Sequence, residues 1–348
     1  SIENDLIYVL LATVADVMPM RGMNKILAKN VLNFYDITKN YFLRNFFKIL
    51  NIKNYLTLYE LGYKIAPLIN AAGRLENANQ IIKLFTSKSE NQILSICKNI
   101  HNLNQKRKLI ENQILDELDY EKFQNQNDVL FFYKPNLHLG VIGIIASRIK
   151  EYFNKPCVVL TSSNNVLKGS IRSTSNFNIG EYIQKAIKLN FLLNGGGHNL
   201  AAGITLKKTQ LEGFKNFIND RYRQINKSPK NLFFSNISIN SINLGFIKSI
   251  ELLGPFGNNN STPLFLIQNV KFIKPVIIKN KFINCLINKN KKNIKSISFN
   301  HLKSKISYEI LNNKNYFDVI VKIKNNIRNS NSSIQLEIID LIKNTNKT

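Results

Sequence analysis

A chain of 348 residues is long enough for two or three domains, and a hydrophobic content of 44% excludes disorder as the default state. No apolar run reaches the ~18–20 residues of a membrane-spanning helix, and three cysteines without paired metal-ligand spacing suit a reducing cytosol. A formal charge of +26 favours a polyanionic partner, the competing explanation being a compositional drift towards lysine.

The first stretch, Ser1 to about Asn79, is helical in pattern. Leu6 to Val14 is a dense apolar run that leads into Asp16, ahead of Met18-Pro19. By residue type alone an aspartate there is most often a helix cap or turn residue. From Ser89 to Phe123, Ile93, Cys97, Ile100, Leu103, Ile110, Ile114 and Leu118 keep helical spacing, with Lys106-Arg107-Lys108 as a charged interruption. A helix of ~35 residues would span roughly 50 Å, a strut between domains on which His101 is structural.

An α/β unit follows. Asp128–Tyr133 reads as a strand, Val141–Phe153 as an amphipathic helix starting at Gly140, and Pro156–Thr161 and Val166–Ile171 as strands around an Asn164-Asn165 turn. Ile179–Leu189 is a second helix, Ala201–Leu206 a further strand and Thr209–Ile225 a closing helix. Between them lie His138-Leu139-Gly140, Gly169-Ser170-Ile171-Arg172 and Gly195-Gly196-Gly197-His198. Bare backbone N–H groups, a hydroxyl and a planar cation suit a phosphate. Taken singly, a glycine run is as readily just a turn; three such turns within one unit, carrying Arg172 and His198, weigh against that reading. Ser170 and Arg172, two apart on a strand, share one face. Only nine of the 48 basic residues are arginine. Arg74, Arg148 and Arg172 fall in motif-like stretches, where a two-pronged donor is not replaceable by lysine.

Beyond a polar hinge at Lys227–Asn231, short β-rich segments suggest a small barrel: Leu232–Ile239, Phe265–Ile267, Val276–Ile278, Lys281–Ile287, Lys295–Phe299, Phe317–Ile323 and Ser333–Ile339. Phe272, Lys281, Phe282, Lys289 and Lys322 are candidates for stacking on bases and following a backbone.

The segments His138–Ile149, Leu167–Ser173 and Gly195–Gly203 resemble the DHHA1 domain of the RecJ family of single-strand-specific exonucleases, within the DHH phosphoesterase superfamily. Thr13–Pro19 resembles the fourth metal motif of the DHH domain, and Asn70–Leu75 its closing segment. Leu253–Asn258 and Thr262–Phe265 resemble the start of the family's OB domain. The resemblance implies the end of a DHH domain (1–79), connecting helices (80–124), a DHHA1 α/β domain (125–228) and an all-β, OB-like barrel (232–343). It implies Asp16 as a ligand of Mn²⁺ or Mg²⁺. Arg74, His138, Ser170, Arg172, Gly196, Gly197 and His198 would hold substrate phosphate, Ser170 and Arg172 a 5′-terminal one. Arg148, Phe272, Lys281 and Phe282 would be weaker strand contacts. The Asp-His-His triplet is absent and none of the four histidines follows an aspartate, so the resemblance is to the C-terminal part of these proteins.

Three functions compete. One is the substrate-binding part of a metal-dependent 5′→3′ single-stranded-DNA exonuclease of repair and recombination, cytoplasmic, with single-stranded-DNA-binding protein or a helicase as partner. With most metal ligands missing, such a chain is expected to be inactive alone. The second is a non-catalytic single-strand-binding module. The third is a small-nucleotide phosphodiesterase, against which the basic barrel region argues, since dinucleotides need no extended groove.

Overall fold

The computed structural model describes residues 2–36, 40–52, 56–126, 128–225, 233–300, 302, 304–312, 315–328 and 331–343. In chain order the helices are α1 (Ile2–Ala15), α2 (Gly22–Phe34), α3 (Tyr41–Ile49), α4 (Ala66–Leu75), α5 (Asn79–Thr86), α6 (Glu90–Asp116) and α7 (Tyr120–Asn125). An α/β run follows: β1 (Leu130–Tyr133), α8 (Leu139–Phe153), β2 (Cys157–Ser163), β3 (Val166–Arg172), α9 (Ile179–Lys188), β4 (Asn194–His198), β5 (Ala201–Leu206) and α10 (Leu211–Arg223). The last part holds β6 (Ser235–Asn236), α11 (Leu244–Glu251), β7 (Phe265–Ile278), β8 (Phe282–Lys289), β9 (Lys292–Ser298), α12 (Lys305–Asn312), β10 (Phe317–Arg328) and β11 (Asn331–Lys343). Two compact units result: residues 36–228, and residues 1–35 together with 229–348.

In the 36–228 unit, five strands lie in the order β1-β2-β3-β5-β4. β1 and β2 are parallel, joined through α8, and every other pairing is antiparallel. The β2–β3 connection is Asn164-Asn165 with φ of 44° and 65°, the left-handed pair that a two-residue hairpin of matching twist requires. Strand alternation separates two cores. Val158, Leu160, Leu167, Ile171 and Ile204 face Ile179, Ile183, Phe214 and Ile218 of α9 and α10. Cys157 and Val159 face Val141, Ile145 and Ile149 of α8. The result is a helix–sheet–helix sandwich.

The expected 35-residue helix is shorter: α6 has 27 residues, roughly 40 Å. It ends at Asp116, and a break precedes α7. Leu118 and Phe123 are still buried in the same cluster as Ile114, so burial continues where the helix does not. Nor does the basic run interrupt the apolar face. Arg107 is 8% exposed and lies with Glu111, at 6%, on the buried side, and α6 is packed along its length by its own unit. The half-buried His101 contacts Gln105 across one turn at 3.3 Å. The Gly195–Gly197 run, assigned to no strand by the sequence, lies in an edge strand fully registered against β5.

The other unit contains a closed barrel. β7, β8, β9, β11 and β10 pair in that order, and β10 returns to β7. All pairings around it are antiparallel except β9 with β11. The expected segments Phe265–Ile267 and Val276–Ile278 belong to one 14-residue strand whose register shifts between Ile273 and Val276. The described part of Leu232–Ile239 holds only the two-residue β6 and the start of a 3₁₀ turn, not a full strand. Helices α11 and α12 were not anticipated; Ile247, Ile250 and Ile310 pack them onto the barrel core. The hinge at Lys227–Asn231 and His301 lie outside the described residues.

Candidate nucleic-acid interface

The sheet of the 36–228 unit places its polar residues by register. Ser170 pairs with Gly203 and Gly203 with Gly196; one step on, Arg172 pairs with Ala201 and Ala201 with His198. Two adjacent rows therefore point to the side that carries α8. A pocket of about 410 Å³ opens there, lined by Arg74, Gly140, Gly143, Ser170, Arg172, Gly196, Gly197 and Gly203, with Leu139, Ile142, Gly169, Ala201 and Ala202.

Missing Cβ atoms shape it. A Cβ on Gly196 or Gly203 would meet nothing within 4 Å, so these two form open floor. A Cβ on Gly140 would stand 2.1 Å from the Arg74 carbonyl oxygen, so glycine is what lets the first turn of α8 touch the end of α4. On Gly143 it would stand 3.0 Å from an Arg172 nitrogen and 3.1 Å from Ser170 Oγ. Gly143 thus leaves the room in which Ser170 and Arg172 lie.

Arg172 Nη1 donates to Ser170 Oγ at 3.0 Å and to the Ile171 carbonyl at 2.9 Å. Arg74 Nη1 donates to the Gly140 carbonyl at 3.4 Å. Neither guanidinium has a carboxylate within ion-pair distance among the described residues. Burial lowers the pKa of both; the charge of Arg74 lowers Arg172 further, and Glu111 partly offsets the effect at Arg74. Two half-buried, mutually repelling guanidiniums beside a hydroxyl and the start of a helix have the chemistry that suits an anion with several oxygens.

Behind the pocket, Glu111 accepts from Arg107 at 3.3 Å and from Arg148 at 2.6 Å. Arg148 also pairs with Glu151 at 3.3 Å. Burial works against the Arg148 charge, but the bond to Glu111 and the two acidic charges hold its pKa above the ordinary value. Arg148 Nε and Nη1 are thus engaged with protein carboxylates, although its side chain is 54% exposed.

The structure brings Arg74, Ser170, Arg172, Gly196 and Gly197 together in one pocket. His138 and His198 are not among its lining residues. His138 caps α8, its Nδ1 accepting from Gly140 N at 3.1 Å. Exposed His198 accepts from Leu200 N at 3.4 Å, one register row beyond the floor. Sequence reading missed Gly143 and Gly203. Gly140 and Gly143, one turn apart at the start of an apolar helix, were the available signal for the first.

On the barrel, Phe272 is 8% exposed and its ring lies 5.6 Å from Phe317 in the core, so it cannot stack on a base. Lys322 is 4.0 Å from Glu337, and Lys289 Nζ donates to the Gln268 carbonyl at 2.7 Å. Lys281 is exposed. Half-buried Phe282 lies 5.7 Å from Phe299, which is 57% exposed and was not anticipated.

Asp16 is exposed immediately after α1, with no hydrogen-bond or ion-pair partner for its carboxylate among the described residues. It offers one hard oxygen donor, the kind Mn²⁺ and Mg²⁺ take. No group of three or more His, Cys, Asp or Glu placed to hold an ion occurs among the described residues. No helix of the described residues is long and apolar enough to cross a membrane.

The DHHA1 domain family matches residues 126–224, and the RecJ OB domain family matches residues 235–340. The single-stranded-DNA-specific exonuclease RecJ of Haemophilus influenzae is 28% identical over 276 residues, 74% of this chain and 47% of its own length. The Escherichia coli protein of the same name is 32% identical over 221 residues, 60% of this chain and 38% of its own. This chain thus spans less than half the length of either relative. The crystal structure of RecJ from Thermus thermophilus with Mn²⁺ superposes with a TM-score of 0.80 at 23% identity, over 98% of this chain and 50% of that one. A DHHA1 domain carrying the arginine–serine pocket, followed in the chain by the RecJ OB barrel, makes this chain a member of the RecJ family.

Proposed function

We propose that the chain is the strand-binding part of a RecJ-like 5′→3′ single-stranded-DNA exonuclease acting in repair and recombination in the cytoplasm. The observation that carries this reading is the pair of guanidiniums, Arg74 and Arg172, with no carboxylate in ion-pair distance among the described residues, beside Ser170 and an open glycine floor. That receptor takes the 5′-terminal phosphate, with His138 and His198 at its margin. The barrel domain binds the strand through Lys281, Phe282 and Phe299. Asp16 contributes one oxygen to Mn²⁺ or Mg²⁺. Two-metal hydrolysis needs several ligands to hold both ions and lower the pKa of the attacking water. This chain by itself therefore binds the strand without cutting it, and single-stranded-DNA-binding protein or a helicase delivers substrate.

The test combines binding with turnover. The chain should prefer a 5′-phosphorylated single strand over duplex and release no nucleotides from it with Mn²⁺. Release should appear when a polypeptide bearing an Asp-His-His segment is supplied and vanish with Asp16→Ala. Turnover by this chain alone would overturn the division of labour, and a preference for duplex would overturn the strand-binding assignment.

A further inference from the structure

Helix α1 ends in a complete Schellman motif: Met18 N donates to Thr13 O at 2.9 Å and Val17 N to Val14 O at 3.1 Å. The residue in its left-handed position is Val17, with φ of 55°. Glycine is the usual occupant, and a β-branched side chain there is strained. Asp16 immediately precedes it, at the helix end where a negative charge is disfavoured. Neither residue is what folding alone would select, so something must hold the turn.

The holder is the loop Leu253–Asn260. Asn258 Nδ2 donates to the Val17 carbonyl at 2.6 Å, and Met20 N donates to the Asn258 carbonyl at 2.7 Å. The same residue therefore grips the chain on both sides of Pro19. Lys25 Nζ donates to the Leu253 carbonyl at 2.8 Å, and Arg21 Nε donates to the Asn259 carbonyl. A Cβ on Gly257 would stand 3.0 Å from Met20 Cβ, so the loop backbone lies directly against this segment.

We propose that Asn258 is a positioning residue for Asp16. Its side-chain amide and backbone carbonyl hold Val17 in the strained conformation and so fix the direction in which the Asp16 carboxylate is presented. The inference rests on the reading of Asp16 as a metal ligand. It adds that the loop opening the barrel domain sets that ligand.

Amide hydrogen exchange on the whole chain tests it. Asn258→Asp keeps the shape but removes the donor, and should speed exchange at Val17, Met18 and Met20 about threefold, the lower range for one exposed hydrogen bond. Barrel amides such as Ile283 and Ile287 should not change. Adding Val17→Gly, which relieves the strain, should return the three amides to within about twofold of the parent. Unchanged exchange at the turn, a rise spread through the barrel, or no recovery with Val17→Gly would each overturn the proposal. A separate arm tests the underlying reading. Asp16→Asn should raise Tm by about 1–2 °C, because the charge opposes the helix end and serves no fold contact. A fall in Tm would make Asp16 a structural group and sink its role as ligand, while leaving the grip of Asn258 standing.

Discussion

Replacing Arg172 with lysine isolates what the planar fork contributes to the pocket. Nη1 is already committed to Ser170 Oγ at 3.0 Å and to the Ile171 carbonyl at 2.9 Å, so the guanidinium is held by one nitrogen and presents the others. A lysine ammonium has one nitrogen and must choose between those internal acceptors and a ligand. Charge remains, so long-range attraction survives; what is lost is about one charge-assisted hydrogen bond. That loss is about 2 kcal/mol, or roughly thirtyfold in Kd for a 5′-phosphorylated oligonucleotide. A 5′-hydroxyl oligonucleotide, which places no terminal phosphate there, should lose less than about twofold. Fluorescence anisotropy with 3′-labelled strands of both kinds reads the difference directly. Equal loss for the two ends would refute the placement of a terminal phosphate against Arg172.

Gly143→Ala should also weaken binding of the phosphorylated strand selectively, with little change in Tm. Its methyl would press on Ser170 and Arg172 at about 3 Å rather than on the core. Glu111→Leu should cost about 3 kcal/mol in urea unfolding, because it leaves the 8%-exposed Arg107 buried without its carboxylate. Phe272→Ala should destabilise the barrel by about 3 kcal/mol, whereas Phe299→Ala should leave stability unchanged and weaken strand binding about tenfold. If the barrel neutralises about five phosphates, log Kd against log salt should have a slope of magnitude about 3.5 for single strands. Burial raises the Cys97 and Cys285 thiols from 9.0 to about 12. The unfolded chain then loses these protons first as pH rises, so the contribution of these two thiols to stability should be flat below about pH 9 and fall between there and 12. Urea midpoints across that range check it.

Much of the α/β unit was legible in the sequence because its signals are local. Asn164-Asn165 marks the hairpin, and the spacing of Val141, Ile145 and Ile149 marks α8. Ser170 and Arg172 share a face because strand period is two, and the structure adds Gly203, which stands between Ser170 and Gly196 in one row. What was missed depends on distant partners. Glycine carries no strand preference, and β4 exists because β5 supplies its hydrogen bonds. Arg107 read as part of a charged interruption because its partner, Glu111, needed tertiary burial to matter. Phe272 looked available because alternation along β7 does not say which face closes onto the barrel. The barrel's closure between β10 and β7 joins segments about fifty residues apart, which no local pattern announces.

The most direct measurement is ³¹P NMR of a 5′-phosphorylated oligonucleotide titrated with this chain across pH 5–8. Held between Arg74 and Arg172, the terminal monoester should shift on binding, and its second pKa should fall from the ordinary value of ~6 by about one unit. Arg172→Lys should abolish most of that fall. If only the internal diester resonances move, and the terminal group titrates as it does free in solution, the pocket does not receive the end of the strand.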